Sequence, residues 1–371
     1  MKILTIIGAR PQFVKAAALS RAIKNYSQLQ EIIVHTGQHF DANMSEIFFK
    51  EMEISKPHYN LNINGLSHGA MTGQMLEKLE EVMIAEKPDV VLVYGDTNST
   101  LAGALSAKKL HIKVAHVEAG LRSFNMQMPE EVNRILTDRI SDWLFCPTDT
   151  AINNLNKEGY QNISCAIVKT GDVMEDAALY YSGAAATKSE IIQKYDLDKG
   201  AFILATLHRA ENTDDPVRLA ALLKALSTLA QKNRVIMPLH PRTKACIERQ
   251  ALKVEFEIID PVGYFDMIQL LKNCTLVVTD SGGLQKEAYF FNKYCVTMRD
   301  ETEWVELVDN GFNTLVGADS DKIVQAASAF AERKFDKHIE LYGGGKAADR
   351  IAELLSKSMY ENNNSDSILS S

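Results

Sequence analysis

Groups able to bind anions or move protons recur in this chain at one kind of position, directly after a short apolar run. Gly8-Ala9-Arg10-Pro11-Gln12 follows KILTII, with Lys15 about one turn further on. Pro11 suits the first turn of a helix, which would set Arg10 beside free N–H groups and the positive end of the helix dipole, a favourable place for an anion. His208-Arg209-Ala210-Glu211 follows AFILAT, and His240-Pro241-Arg242 follows VIMPL. Each puts a histidine and an arginine at a strand exit, which suits phosphate and equally suits a surface loop. Thr279-Asp280-Ser281-Gly282-Gly283 follows LVV. A Ser-Gly-Gly turn entering a helix lets backbone N–H groups cradle a phosphate, and Glu287, one turn in, could accept the hydroxyls of a ribose.

Carboxylates fall in the other half of the chain. Asp96, in Gly95-Asp96-Thr97-Asn98, follows DVVLVY and could cap the next helix or do chemistry. Glu118, in His116-Val117-Glu118-Ala119-Gly120, ends an apolar run; alternation puts it on the face of His116, where it needs a partner or a task. Glu130 and Arg134 share a helix face four residues apart after Pro129, which predicts an ordinary ion pair. Together these elements suggest a nucleotide diphosphate compound in an interdomain cleft, its phosphates held by Arg and His and acid–base chemistry done on the attached group. The chain has no GxGxxG after its first strand, no Walker loop, no nucleophile elbow and no metal triad.

The elements that must position these groups are legible as apolar runs alternating with stretches of helical period. Strands are predicted at Lys2–Ile7, Glu31–Thr36, Asp89–Tyr94, Ile112–Val117, Trp143–Cys146, Phe202–Thr206, Arg234–Pro238, Phe256–Asp260, Thr275–Thr279 and Tyr294–Met298. Intervening segments such as Met71–Glu86, Leu101–Leu110, Val217–Ala230 and Ile323–Ala331 have apolar residues three and four apart. This pattern predicts an α/β protein with parallel sheets covered on both faces; two successive sheets fit the length better than one eight-unit barrel. The predicted division is residues 1–170, then 171–345, with residues 361–371 as a flexible polar tail.

The 371 residues are 46% hydrophobic, with 40 basic against 48 acidic side chains for a net charge of −8. That balance argues against nucleic acid as a partner. No uninterrupted apolar run approaches the roughly 18 residues of a membrane span, and no signal peptide is expected. The five cysteines are odd in number and scattered, so reduced thiols in a cytoplasmic protein are expected, without metal.

In order along the chain, GARPQ-VK, GDTNST, HVEAGLRS, PEE-NR, HRAEN, HPR, TDSGG-Q-EA and MRDETE resemble the motifs of the non-hydrolysing UDP-N-acetylglucosamine 2-epimerases. The resemblance implies two Rossmann-like domains of the glycosyltransferase-B kind, the active site between them, and a final helix near residues 346–359 returning to the first domain. It implies a homodimer that inverts C2 of a UDP-sugar with no cofactor, for bacterial surface polysaccharide: UDP is eliminated to leave a 2-acetamidoglycal, then re-adds as C2 is protonated on the other face. Asp96, Glu118 and Glu130 would then be the acid–base groups. His208, Arg10 and Lys15 would hold the diphosphate or assist its departure, and Arg134 would position Glu130 or the sugar. Ser281, Gly282 and Gly283 would bind phosphate, with His240 and Arg242 also on the substrate and Glu287 on the ribose. A retaining glycosyltransferase is the more remote alternative.

This chain departs from the common pattern at Gln12, where many members have glutamate, and at Phe40 and Ala210, where they have arginine. Glu303-Trp304-Val305-Glu306 replaces an ERPE-like stretch. The two missing arginines belong to the segments that help bind an activating second UDP-N-acetylglucosamine in the better-known branch. The same variations resemble the branch acting on UDP-2,3-diacetamido-2,3-dideoxyglucuronate.

Overall fold

In the computed structural model, residues 1–38 and 56–368 are described, and the chain divides into two compact units, Met1–Ala177 with Glu340–Ser371, and Ala178–Ile339. The first unit holds β1 (Lys2–Ile7), β2 (Gln30–His35), β3 (Tyr59–Asn60), β4 (Val90–Tyr94), β5 (Lys113–Val117), β6 (Trp143–Cys146) and β7 (Ala166–Lys169). They form a parallel sheet in the order 3-2-1-4-5-6-7. The second unit holds β8 (Phe202–Thr206), β9 (Arg234–Pro238), β10 (Glu257–Ile259), β11 (Leu276–Thr279), β12 (Cys295–Thr297) and β13 (Asn313–Leu315), parallel in the order 10-9-8-11-12-13. Two open, doubly wound sheets are the fold class expected from the apolar runs, and the single barrel is excluded.

Burial on both faces explains why the central strands read as unbroken apolar runs. On β8, Ile203 and Ala205 join one core with Leu222, Leu226, Ile323 and Ala327, while Phe202 and Leu204 join another with Leu270, Leu271, Leu284 and Ala288. Each sheet reverses its winding at one point, between β1 and β4 in the first unit and between β8 and β11 in the second. Loops leaving the carboxyl ends of such strands diverge, and ligands of doubly wound sheets bind there.

The boundary between units falls at Ala177/Ala178 rather than after residue 170. The last helix, Ala347–Ile368, is capped by Asp176, which accepts from the backbone N–H of Ala347 at 3.1 Å and Ala348 at 2.8 Å. It packs against the helix Arg10–Ile23, and Gln28 Nε2 donates to Ser356 Oγ at 2.6 Å. Its backbone continues through residues 361–368, where a flexible tail was expected; residues 369–371 lie outside the described residues. Among the described residues no helix is long and apolar enough to cross a membrane. Cys146, Cys246, Cys274 and Cys295 are buried free thiols, and burial pushes Cys274 and Cys295 up to about 12.

Candidate active site

At the switch point of the first unit, the turn after β1 is stitched to the turn after β4 by one side chain. Gln12 Oε1 accepts from the N–H groups of Gly8 and Ala9 at 2.8 and 3.0 Å. Its amide donates to Tyr94 O at 2.8 Å and to the hydroxyls of Thr97 and Thr100 at 3.0 Å. A glutamate could accept the first two bonds but could not donate the others. Gly8 is demanded by space: a Cβ there would lie 2.1 Å from Ser99 Oγ and 2.2 Å from Thr36 Oγ1. Arg10 opens the helix, but its side chain lies outside the described residues, as do His39 and Phe40.

Asp96 does not cap the helix Asn98–Lys109; Thr97 does, accepting from the Thr100 N–H. The Asp96 carboxylate, about a third exposed, pairs instead with Nη2 of Arg134. The expected Glu130–Arg134 pair is not formed. Arg134 takes Glu131, three residues back, through Nη1, and Glu131 is fully buried and also accepts the N–H groups of Ser123 and Phe124. Glu130 lies exposed in the first turn of the helix Pro129–Ile140. Burial works to raise the Glu131 carboxyl, yet the Ser123 and Phe124 N–H groups and Arg134 hold it below its ordinary 4.5. Burial likewise opposes the charge of Arg134, and Asp96 and Glu131 more than restore it.

Glu118 departs from the strand alternation that placed it beside His116. β5 ends at Val117, and Glu118 has φ +70°, a left-handed backbone unusual for a side chain this large. Its carboxylate pairs with Nζ of Lys15, so the lysine expected on the diphosphate stands in an ion pair with a carboxylate. The turn after β4 meets this pair: Tyr94 lies opposite Val117 in register, and a Cβ on Gly95 would be 3.3 Å from Glu118 Oε2 and 3.4 Å from Lys15 Nζ. Asp96 and Glu118 thus leave adjoining strands, each carboxylate beside one buried cation.

At the switch point of the second unit the organiser is Asp280, at the exit of β11 and fully buried. It accepts from the backbone N–H of His208 at 3.1 and 3.0 Å, from that of Arg209 at 2.9 Å, and from Asn212 Nδ2 at 3.3 Å. The sequence singles out the TDSGG turn without giving this aspartate a part, because a buried carboxylate fed by backbone N–H groups has no signature in residue type alone. Ser281 caps the helix Gly282–Phe290. A Cβ on Gly282 would lie 2.8 Å from Glu303 Oε1 and 3.3 Å from Arg209 Nη2, whereas among the described residues none comes within 4 Å of one on Gly283, which is exposed. Glu287, half-buried, is one turn further on.

His208 keeps its ring partly exposed, 5.7 Å from that of His240. Burial holds the His208 imidazole below its ordinary 6.5; Asp280 pulls it back, while His240 and Arg209 push it further down. His240 is itself a helix cap, its Nδ1 accepting from Arg242 N–H at 3.2 Å. Arg242 reaches Thr213 Oγ1 at 3.2 Å and Asp214 Oδ2 at 2.6 Å, so in this structure it braces the turn after β8. Among the described residues no group of three or more His, Cys, Asp or Glu side chains could hold a metal ion.

A family model described as UDP-N-acetylglucosamine 2-epimerase matches residues 21–356. The chain is 60% identical to a UDP-2,3-diacetamido-2,3-dideoxy-D-glucuronate 2-epimerase of Pseudomonas aeruginosa, over 96% of this chain and 100% of that protein. It is 49% identical to a UDP-N-acetylglucosamine 2-epimerase homolog of Methanococcus maripaludis, over 96% of this chain and 99% of that one. The crystal structure of the Methanocaldococcus jannaschii UDP-GlcNAc 2-epimerase in complex with UDP-GlcNAc and UDP matches with a TM-score of 0.85 at 41% identity, covering 96% of this chain and 100% of its own. The chain belongs to the UDP-N-acetylglucosamine 2-epimerase family.

Proposed function

We propose that this chain is an isomerase that inverts C2 of UDP-2,3-diacetamido-2,3-dideoxyglucuronate, without metal or nicotinamide, as a homodimer in the cytoplasm. The observation that carries the reaction is the pair of carboxylates, Asp96 and Glu118, leaving adjoining strands at the switch point, with the exposed Glu130 as the third of the set. The relative at 60% identity carries the choice of sugar.

In the reaction a carboxylate removes the C2 proton while the bond from C1 to the diphosphate oxygen breaks, leaving UDP and a 2-acetamidoglycal. The reverse addition delivers a proton to the opposite face of C2 as the diphosphate returns to C1. The C2–H is weakly acidic, so stabilising the departing diphosphate must contribute substantially. Arg10, His208 and the Ser281-Gly282-Gly283 turn serve that end, with Glu287 on the ribose and His240 and Arg242 supporting the His208 side. Lys15 and Arg134 each neutralise one of these carboxylates, and Lys15 can turn to the diphosphate once Glu118 takes up its proton.

A low-lying His208 leaves the ring uncharged near pH 7, and a bound diphosphate would favour its protonation. Binding of UDP is therefore expected to take up a fraction of a proton near pH 6.5, measured by calorimetry in buffers of different ionisation enthalpy. The uptake should vanish in His208→Asn, with UDP affinity about tenfold weaker; uptake unchanged in the variant would remove His208 from the diphosphate.

The choice of sugar is tested by steady-state turnover of the diacetamido uronate and of UDP-N-acetylglucosamine. A kcat/KM at least tenfold higher for the uronate is expected. A preference for UDP-N-acetylglucosamine would leave the chemistry standing and reassign the substrate.

A further inference from the structure

Asp138 lies on the helix Pro129–Ile140, fully buried, and carries none of the roles described above. Its two oxygens reach the exits of two strands. Oδ1 meets Nδ1 of His116 at 2.7 Å, and Nε2 of the same ring bonds Gly95 O at 2.7 Å, the residue before Asp96. Oδ2 accepts from Gly120 N–H at 3.1 Å and from Arg122 Nη1 at 2.7 Å, just beyond Glu118. Arg122 is fixed in turn by a bidentate pair with Glu158, at 2.7 and 2.8 Å. Gly120 O accepts from Asn154 Nδ2 at 3.1 Å, and Glu118 and Ala119 both donate their N–H to Phe145 O at 3.1 Å.

These bonds matter because the turns they hold are not self-supporting. Gly95 and Glu118 both have left-handed backbones, at φ +64° and +70°. For a glutamate that conformation persists only where the surroundings fix it. Burial works to raise the Asp138 carboxyl, but His116 and Arg122 hold it below 3.8, so it stays the anion that His116, Gly120 and Arg122 bond.

We propose that Asp138 is a positioning residue, one buried carboxylate that sets Asp96 and Glu118 relative to each other by fastening the turns that carry both. The proposal rests on the epimerase reading and adds to it a geometric requirement: two proton transfers at one carbon tolerate little misplacement of either carboxylate.

The test uses the full chain and two variants. Asp138→Asn keeps the shape but leaves one acceptor oxygen where donors approach from both sides. His116→Asn is too short to link Asp138 to Gly95 and leaves the Gly120 and Arg122 contacts in place. For folded Asp138→Asn, kcat is expected to fall about 100-fold or more, with KM and UDP affinity within about threefold of wild type; His116→Asn should lose at least about tenfold in kcat in the same pattern. A purely structural role would not separate kcat from KM in this way. Should Asp138→Asn fail to fold, His116→Asn decides. Either variant folded with kcat within about threefold of wild type overturns the proposal, as does loss of fold in both. A wild-type chain that exchanges no C2 proton defeats the epimerase reading instead, a result distinct from all of these.

Discussion

Replacing Asp96 by asparagine is expected to lower kcat by about 10²- to 10⁴-fold, the range that a positioned acid or base contributes. The substitution preserves size, and the side chain is about a third exposed, so no buried charge is stranded on its own side. Arg134 loses one partner and keeps Glu131, which holds its guanidinium in place. UDP affinity should stay within about twofold of wild type, because the groups assigned to the nucleotide lie in the second unit or after β1. Calorimetric binding and single-turnover kinetics on the same preparation separate the two quantities. Turnover within threefold of wild type would remove Asp96 from the proton-transfer step.

The second large effect concerns stability. Arg134→Met is expected to destabilise the first unit by about 3 kcal/mol at pH 7, in the range found when one member of a buried ion pair is removed. The reason is Glu131, which is fully buried and would keep its backbone donors but lose the guanidinium paired with it, while Asp96 can rehydrate. The sign of the pH dependence follows from the shift. Glu131 is held below 4.5 in the folded chain, so it contributes stability that is present above that unfolded value and is lost as pH falls through its lowered folded one. In the variant, burial is left to push the carboxyl up, and protonation relieves the buried charge. The gap between wild type and variant should therefore narrow between pH 7 and pH 4.5, measured by urea denaturation at both. A gap under 1 kcal/mol at pH 7, or one that does not change with pH, would show that Glu131 is satisfied without the arginine.

The central strands could be read from the sequence because burial on both faces demands unbroken apolar residues. The strands that escaped are β3, β7 and β13, which sit at sheet edges and carry Tyr59–Asn60, Ala166–Lys169 and Asn313–Leu315. An edge strand is covered less completely and needs no apolar run. In the candidate site, residue type pointed to turns that lie at the two switch points, but pairings did not follow from spacing. Glu130 and Glu131 are interchangeable on paper; the helix turns the first outward and the second into the core, and the arginine follows the buried one. Asp138 reads as an ordinary polar residue in LTDRI, and Asp280 as a turn former, since burial of a carboxylate depends on donors contributed from distant strands. Glu118 misled for a different reason: alternation assumes extended backbone, and its φ of +70° breaks the pattern just past the end of β5.

The central claim is that this chain breaks and remakes the C2–H bond of a UDP-2-acetamido sugar. Proton NMR of the purified protein in D2O with UDP-2,3-diacetamido-2,3-dideoxyglucuronate tests it most directly. The account predicts loss of the C2 proton signal to deuterium together with growth of the C2 epimer, and no such change in the Asp96→Asn protein. A sugar that binds, keeps its C2 proton and forms no epimer, with UDP-N-acetylglucosamine behaving the same way, would contradict it.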